Sequence, residues 1–221
     1  MIPNIKNEPL FAGIILAAGL SSRMKTWKPG KLTNGTPLIV HSIRSMMVHC
    51  NKIIVVGGYN FDKLHEIINN LNIISSLERT KILLIENKDY KSGMFSSVKF
   101  GLTNISNSDG VFILPGDIPF VNSSTYLTLI DDFNNSKEYD LFLPAIKVKS
   151  DSTTKGDNLQ KGHPVLIRNN IIERITSHSD DTTLRRVLKE FSSKICVVND
   201  EGIIFDIDNE DDFNKIKLTV I

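Results

Sequence analysis

Ala12-Gly13-Ile14-Ile15-Leu16-Ala17-Ala18-Gly19-Leu20-Ser21-Ser22-Arg23-Met24-Lys25-Thr26-Trp27-Lys28-Pro29-Gly30-Lys31 starts apolar and ends small-residue-rich and cationic. Ala12 to Ala17 reads as a β-strand. Lys52 to Val56, Lys81 to Ile85, Val111 to Leu114 and Leu141 to Ala145 read as further strands. Four of the five are near-continuous apolar runs rather than alternating ones, the pattern of strands buried on both faces of a helix-covered parallel sheet. Between them lie segments of helical period: Pro37 to Cys50, with Thr36 at the N-cap and Pro37 at the first helical position, then Phe61 to Leu71, Met94 to Ile105 and Ser123 to Phe133. The alternation predicts a layered α/β fold with right-handed crossovers.

After Ala145 the rhythm changes. Lys149 to Lys161 is polar and rich in Ser, Thr, Gly and Asp, and reads as a mobile loop. Gly162 to Arg168 and Ile195 to Val198 read as strands, Asp181 to Phe191 and Asp208 to Leu218 as helices. With no internal repeat or low-complexity tract, residues 1–221 are expected to form one domain, with 1–10 as an N-terminal extension and 149–161 as the loop.

Composition narrows the function. The 221 residues are 41% hydrophobic and 23% charged, and 26 Lys+Arg against 25 Asp+Glu leave a net charge of +1. So balanced a chain has no global field to hold nucleic acid or an anionic membrane, and any phosphate binding must be local. The longest apolar stretch, Leu10 to Leu20, falls short of the roughly 20 residues that span a bilayer. The first ten residues do not read as a secretion signal. Cys50 and Cys196 form no CxxC pair, so neither a disulfide framework nor a zinc cluster is expected, and a cytoplasmic setting is the default.

In an open parallel sheet, ligands bind beyond the carboxyl ends of the strands, so the residues that follow each strand carry the candidate chemistry. After the first strand, Ala18 and Gly19 let backbone N–H groups approach an anion. Arg23 offers a phosphate-gripping fork and Lys28 a point charge, with Lys31 as a rival. The same residues also suit a solvated connecting loop. The stretch is neither a Walker A loop nor a G-x-G-x-x-G fingerprint. After the fourth strand, Asp117 in Pro115-Gly116-Asp117-Ile118-Pro119 suits Mg²⁺, which takes one or two carboxylates plus phosphate oxygens, although the pentapeptide by itself reads first as a turn. Asp206 reads as a second metal ligand or as charge at a helix N-terminus, and Asp208 fits a helix N-cap. Gly93 and Ser97 stand near the start of a helix, where they suit a ligand contact or a plain capped start, and His163 stands at the start of a strand, where a structural role is the first reading. Trp27 could cover a ligand loop or pack.

Together these segments resemble the MobA-like nucleotidyltransferases. Leu16-Ala17-Ala18-Gly19-Leu20-Ser21-Ser22-Arg23-Met24-(x)3-Lys28 matches their nucleotide-binding signature and Gly116-Asp117-x-Pro119 their metal motif. Gly93-Met94-x-x-Ser97, Gly162-His163-Pro164-Val165 and Asp206-Ile207-Asp208-x-x-Asp211-Asp212 resemble further motifs of the molybdenum cofactor cytidylyltransferase branch. The resemblance implies a Rossmann-like three-layer sandwich of the glycosyltransferase-A type with a mostly parallel mixed sheet. It implies a Mg²⁺-dependent transfer of CMP from CTP to a phosphorylated acceptor, molybdopterin carrying molybdenum, with release of pyrophosphate and a molybdoenzyme as the partner that receives the cofactor. Arg23, Lys28 and Asp117 would be catalytic. Leu16, Ala17, Ala18, Gly19, Arg23, Lys28, Gly93 and Ser97 would bind nucleotide, His163 would lie on the acceptor side, and Asp117 and Asp206 would hold the metal. One position departs: the family usually has Gly two residues after the signature Arg, and here stands Lys25. That keeps open a catalytically inactive nucleotide-binding module that delivers cofactor; the nearest enzyme alternative is transfer to a sugar, polyol or choline phosphate.

Overall fold

The computed structural model describes residues 8–20, 26–70, 79–148, 158–207 and 211–213. Its strands are β1 (Phe11–Ala17), β2 (Leu32–Thr33), β3 (Thr36–Pro37), β4 (Lys52–Gly57), β5 (Ile82–Glu86), β6 (Gly110–Pro115), β7 (Leu141–Val148), β8 (Asn158–Lys161), β9 (Val165–Arg168) and β10 (Ser193–Val197). Its helices are α1 (Leu38–Met47), α2 (Phe61–Asn69), α3 (Met94–Leu102), α4 (Ser123–Asn135), α5 (Ile172–Ser177) and α6 (Leu184–Val187). The main sheet has eight strands in the order β10-β7-β9-β6-β1-β4-β5, with β8 paired to β7. The β4, β1, β6 and β5 pairings are parallel, as is β10 with β7, while β9 runs antiparallel to both β6 and β7. This is the mostly parallel mixed sheet the resemblance implies.

Alternation along the central strands builds three layers. Ile15, Ile53, Val55, Phe112 and Leu114 face one side and pack with Ile43 and Met46 of α1, Leu64 of α2 and Tyr126 and Phe133 of α4. Ile14, Ile54, Val56, Val111 and Ile113 face the other and pack with Phe95 and Val98 of α3, Ile175 of α5 and Val187 of α6. A strand covered twice needs apolar residues at every position, which is why β1, β4 and β6 read as continuous runs. Both cysteines are buried and free, and burial pushes each thiol well above its ordinary range. No helix among the described residues is long and apolar enough to cross a membrane.

Three expectations need correction. Thr36 is not a helix cap: Thr36 and Pro37 pair with Thr33 and Leu32 in a hairpin, and Asn34 (φ 49°) and Gly35 (φ 76°) make its turn. Positive φ at both central residues is what an Asn-Gly hairpin turn supplies. The first N–H of α1, on Leu38, is then taken by the Lys31 carbonyl at 2.9 Å. The segment 149–161 is not a loop throughout, because Asn158–Lys161 pairs with Ala145–Val148 as β8. Asp181 to Phe191 is helical over less of its length: Thr183 caps the helix by accepting the Arg186 N–H, and a 3-10 turn, Leu188–Glu190, follows α6. Of the helix expected over 208–218, only 211–213 are described, and they are helical.

Candidate active site

β1 is where the chain changes its direction of travel across the sheet: β4 and β5 lie on one side of it and β6 on the other. β1 and β6 are adjacent parallel strands, and a crevice lies beyond their carboxyl ends. The Gly116 N–H donates to the Leu16 carbonyl at 2.9 Å, so the residues after β1 and those after β6 enter that crevice together. The crevice is one cleft in two halves that share Gly19, Lys28, Met94, Pro115 and Asp117.

The first half is walled by Leu16 to Gly19, by Lys28 and Pro29, by Gly116 and Asp117, and by Tyr90, Met94 and Ser97 around the start of α3. A Cβ at Gly19 would meet nothing within 4 Å, so the fold itself does not ask for glycine there. A ligand pressed against that backbone would. Gly93, at φ 111°, turns the chain into α3 in a conformation that suits glycine. Ser97 is buried at 2% exposure and held in place: Asn87 Nδ2 donates to Ser96 Oγ and Ser97 Oγ, both at 3.0 Å, and Ser96 Oγ donates to the Gly93 carbonyl at 2.8 Å. The second half is walled by Gln160 to His163 and by Ile203, Ile204 and Asp206, facing Lys28 and Asp117.

The charged centre lies where the halves meet. Lys28 Nζ stands 3.2 Å from Asp117 Oδ2, with side-chain exposures of 11% and 32%. Lys28 reaches this place because Lys28–Gly30 forms a 3-10 turn with Pro29 inside it. Lys31, the rival cation, lies over the Phe213 ring, 4.0 Å from its centroid. Asp206 is on the same cleft as Asp117. Among the described residues no three His, Cys, Asp or Glu side chains gather at metal spacing. Two carboxylates on a shared cleft fit a cation such as Mg²⁺, which fills the rest of its shell with phosphate and water oxygens. Burial lowers the pKa of His163 from 6.5, opposed by the Ile113 carbonyl and by the charges of Asp117 and Asp206. Its buried Nδ1 has no hydrogen-bond partner among the described residues.

Leu16, Ala17, Ala18, Gly19, Lys28, Ser97, Asp117, His163 and Asp206 thus line one cleft. Arg23, Lys25 and Asp208 lie outside the described residues. Trp27 packs against the core. Sequence reasoning missed Tyr90, Asn87, Gln160 and Lys161. Asn87 follows β5 and was reachable by inspecting what comes after each strand; Gln160 and Lys161 were hidden because their strand is exposed and polar.

The model of the MobA-like NTP transferase domain matches residues 13–195. The molybdenum cofactor cytidylyltransferase of Escherichia coli (strain K12) is 29% identical over 205 residues, 92% of this chain and 94% of that protein. The bifunctional protein GlmU of Staphylococcus epidermidis is 26% identical over 192 residues, 84% of this chain but 38% of GlmU. Among solved structures, Rv0371c from Mycobacterium tuberculosis H37Rv superposes with a TM-score of 0.71 at 18% identity, covering 96% of this chain and 100% of that one, a likeness of fold.

Proposed function

The chain belongs to the MobA-like NTP transferase family and is a nucleotidyltransferase, and from that premise we propose that it transfers CMP from CTP to molybdopterin carrying molybdenum, releasing pyrophosphate. Two features support this reading over other donors and acceptors. One is the near end-to-end match to a protein named molybdenum cofactor cytidylyltransferase. The other is the Ala17-Ala18-Gly19 form of the first motif, which resembles the cytidylyl rather than the guanylyl type.

The observation that carries the reaction class is the meeting of Lys28 and Asp117 at the junction of the two half-clefts. A phosphate oxygen of the acceptor attacks the α-phosphorus of CTP in line; the new P–O bond forms as the bond to the bridging oxygen of pyrophosphate breaks. Little covalent chemistry is left to the protein, so its work is positioning and charge stabilisation. Ala18 and Gly19 bring backbone to the triphosphate. Lys28, nearly buried, meets the charge that grows on the phosphoryl oxygens where water screens it least. Asp117 and Asp206 would hold Mg²⁺, which neutralises phosphate charge when bound. Ser97, fixed by Asn87, faces the base or ribose. His163, on the wall of the second half of the cleft, is read as the contact to the acceptor.

Thermal shift with each of four nucleoside triphosphates and Mg²⁺ tests the donor. A ligand at about 100 times its Kd stabilises by about 2.7 kcal/mol, a readable shift. CTP is expected to shift the chain most, and pyrophosphate release is expected with molybdenum-loaded molybdopterin and not with sugar, polyol or choline phosphates. A larger shift with GTP, or nucleotide binding without pyrophosphate release on any acceptor, overturns the proposal.

A further inference from the structure

We infer that Asp200 is a positioning residue for the paired acids Asp117 and Asp206. This rests on the reading of those two acids as metal ligands. Asp200 is 4% exposed, and its carboxylate accepts four hydrogen bonds from neutral donors. Oδ2 takes the Asn122 N–H at 2.8 Å and the Thr125 hydroxyl at 2.7 Å; Oδ1 takes Asn122 Nδ2 and the Gly202 N–H, each at 2.9 Å. Four donors fill the lone-pair positions of a carboxylate. The start of α4 adds the positive end of its dipole.

A helix cap needs only the contacts to Asn122 and Thr125. The Gly202 contact caps Asp200's own 3-10 turn, Glu201–Ile203, and the contacts to Asn122 and Thr125, 78 and 75 residues away, make Asp200 a cross-link between two segments, each of which carries one acid. Asn122 closes the segment that leaves β6 through Asp117. Gly202 opens the turn that runs through Ile203 and Ile204 to Asp206. The segments meet in two further places: the Ile207 N–H donates to the Asp117 carbonyl at 3.1 Å, and Gly202 packs on the Phe120 carbonyl so closely that a Cβ would collide with it. The turn also holds the acceptor side, since the Ile203 carbonyl accepts the His163 N–H at 2.8 Å and leaves no room for a Cβ at Gly162. Asp200 therefore sets the placement of Asp206 and His163 against Asp117 without touching the cleft itself.

The test is Mn²⁺ binding by electron paramagnetic resonance on the full chain with saturating CTP, for wild type, Asp200→Asn and Thr125→Val. Asp200→Asn is expected to weaken Mn²⁺ roughly 10-fold or more, the loss seen when support behind metal ligands is removed. Metal-free CTP affinity and the circular dichroism spectrum are expected to stay as in wild type. Thr125→Val removes one contact at nearly constant shape, is expected to act in the same direction by a smaller factor, and carries the test if Asp200→Asn does not fold. Unchanged Mn²⁺ affinity in the folded variants overturns the positioning role and leaves Asp200 a helix cap. A wild-type chain that binds CTP but no Mn²⁺ overturns the metal reading, and the inference with it.

Discussion

Lys28 Nζ lies 3.2 Å from Asp117 Oδ2 although 89 residues separate them. The topology makes the meeting unavoidable: Lys28 follows β1, Asp117 follows β6, and those strands are parallel neighbours. Each is the counter-charge of the other, and each has an opposite charge to gain from a metal-bound triphosphate. Asp117→Asn is therefore expected to lower pyrophosphate release by about 100-fold or more. The fold should survive, because the Asp117 side chain is 32% exposed, and circular dichroism checks this. Lys28→Met should cost about 100-fold as well, whereas Lys31→Met should cost far less. The reverse order would move the phosphate contact to Lys31.

Gly19→Ala separates fold from ligand. The added methyl meets nothing within 4 Å, so Tm is expected to hold within a degree or so of wild type. The same methyl would stand between the backbone and a phosphate. The Kd for CTP is expected to rise by about tenfold, the equivalent of 1.4 kcal/mol. Unchanged affinity would place the triphosphate elsewhere on the cleft.

What the sequence showed and hid follows from burial. β1, β4 and β6 were legible because two helical layers cover them and leave no polar position. β8 is exposed at all four positions and carries no such pattern, so it read as loop. The hairpin at 32–37 did have a signal, Asn34-Gly35, which the Pro37 helix-start reading overrode. Lys28 and Asp117 were legible as motif residues, but their contact was not, being a consequence of strand order. Asp200 was invisible in principle. Its partners Asn122 and Thr125 lie 78 and 75 residues away, and no local pattern distinguishes a cross-linking Asp from a turn Asp.

Asn87 offers a measurable link between core and cleft. It is 4% exposed and donates to two hydroxyls that line or support the nucleotide half. Asn87→Ala leaves Ser96 and Ser97 without that donor and is expected to cost about 1–3 kcal/mol of stability, read as a lower urea midpoint. CTP affinity should fall with it, since Ser97 loses its tether. A loss of stability with no change in CTP binding would assign Ser97 to the core alone.

The pH dependence of stability follows from three histidines. His41, His49 and His163 all have pKa values lowered from 6.5, in each case chiefly by burial. Burial favours the neutral imidazole, so the folded chain resists a proton that the unfolded chain accepts. Below the ordinary value of 6.5 the unfolded state binds more protons, and stability falls as pH falls; above it the stabilisation is complete. The urea midpoint is therefore expected to be level above about pH 7.5 and to decline toward about pH 5.5. His163 is the most enclosed of the three, and Asp117 and Asp206 only partly offset its burial. His163→Gln should flatten part of that decline, and because Gln does not titrate, it should also remove any acid-side change in the KM for acceptor that His163 causes. A slope identical to wild type would assign the decline to His41 and His49 and leave His163 without a titration in this range.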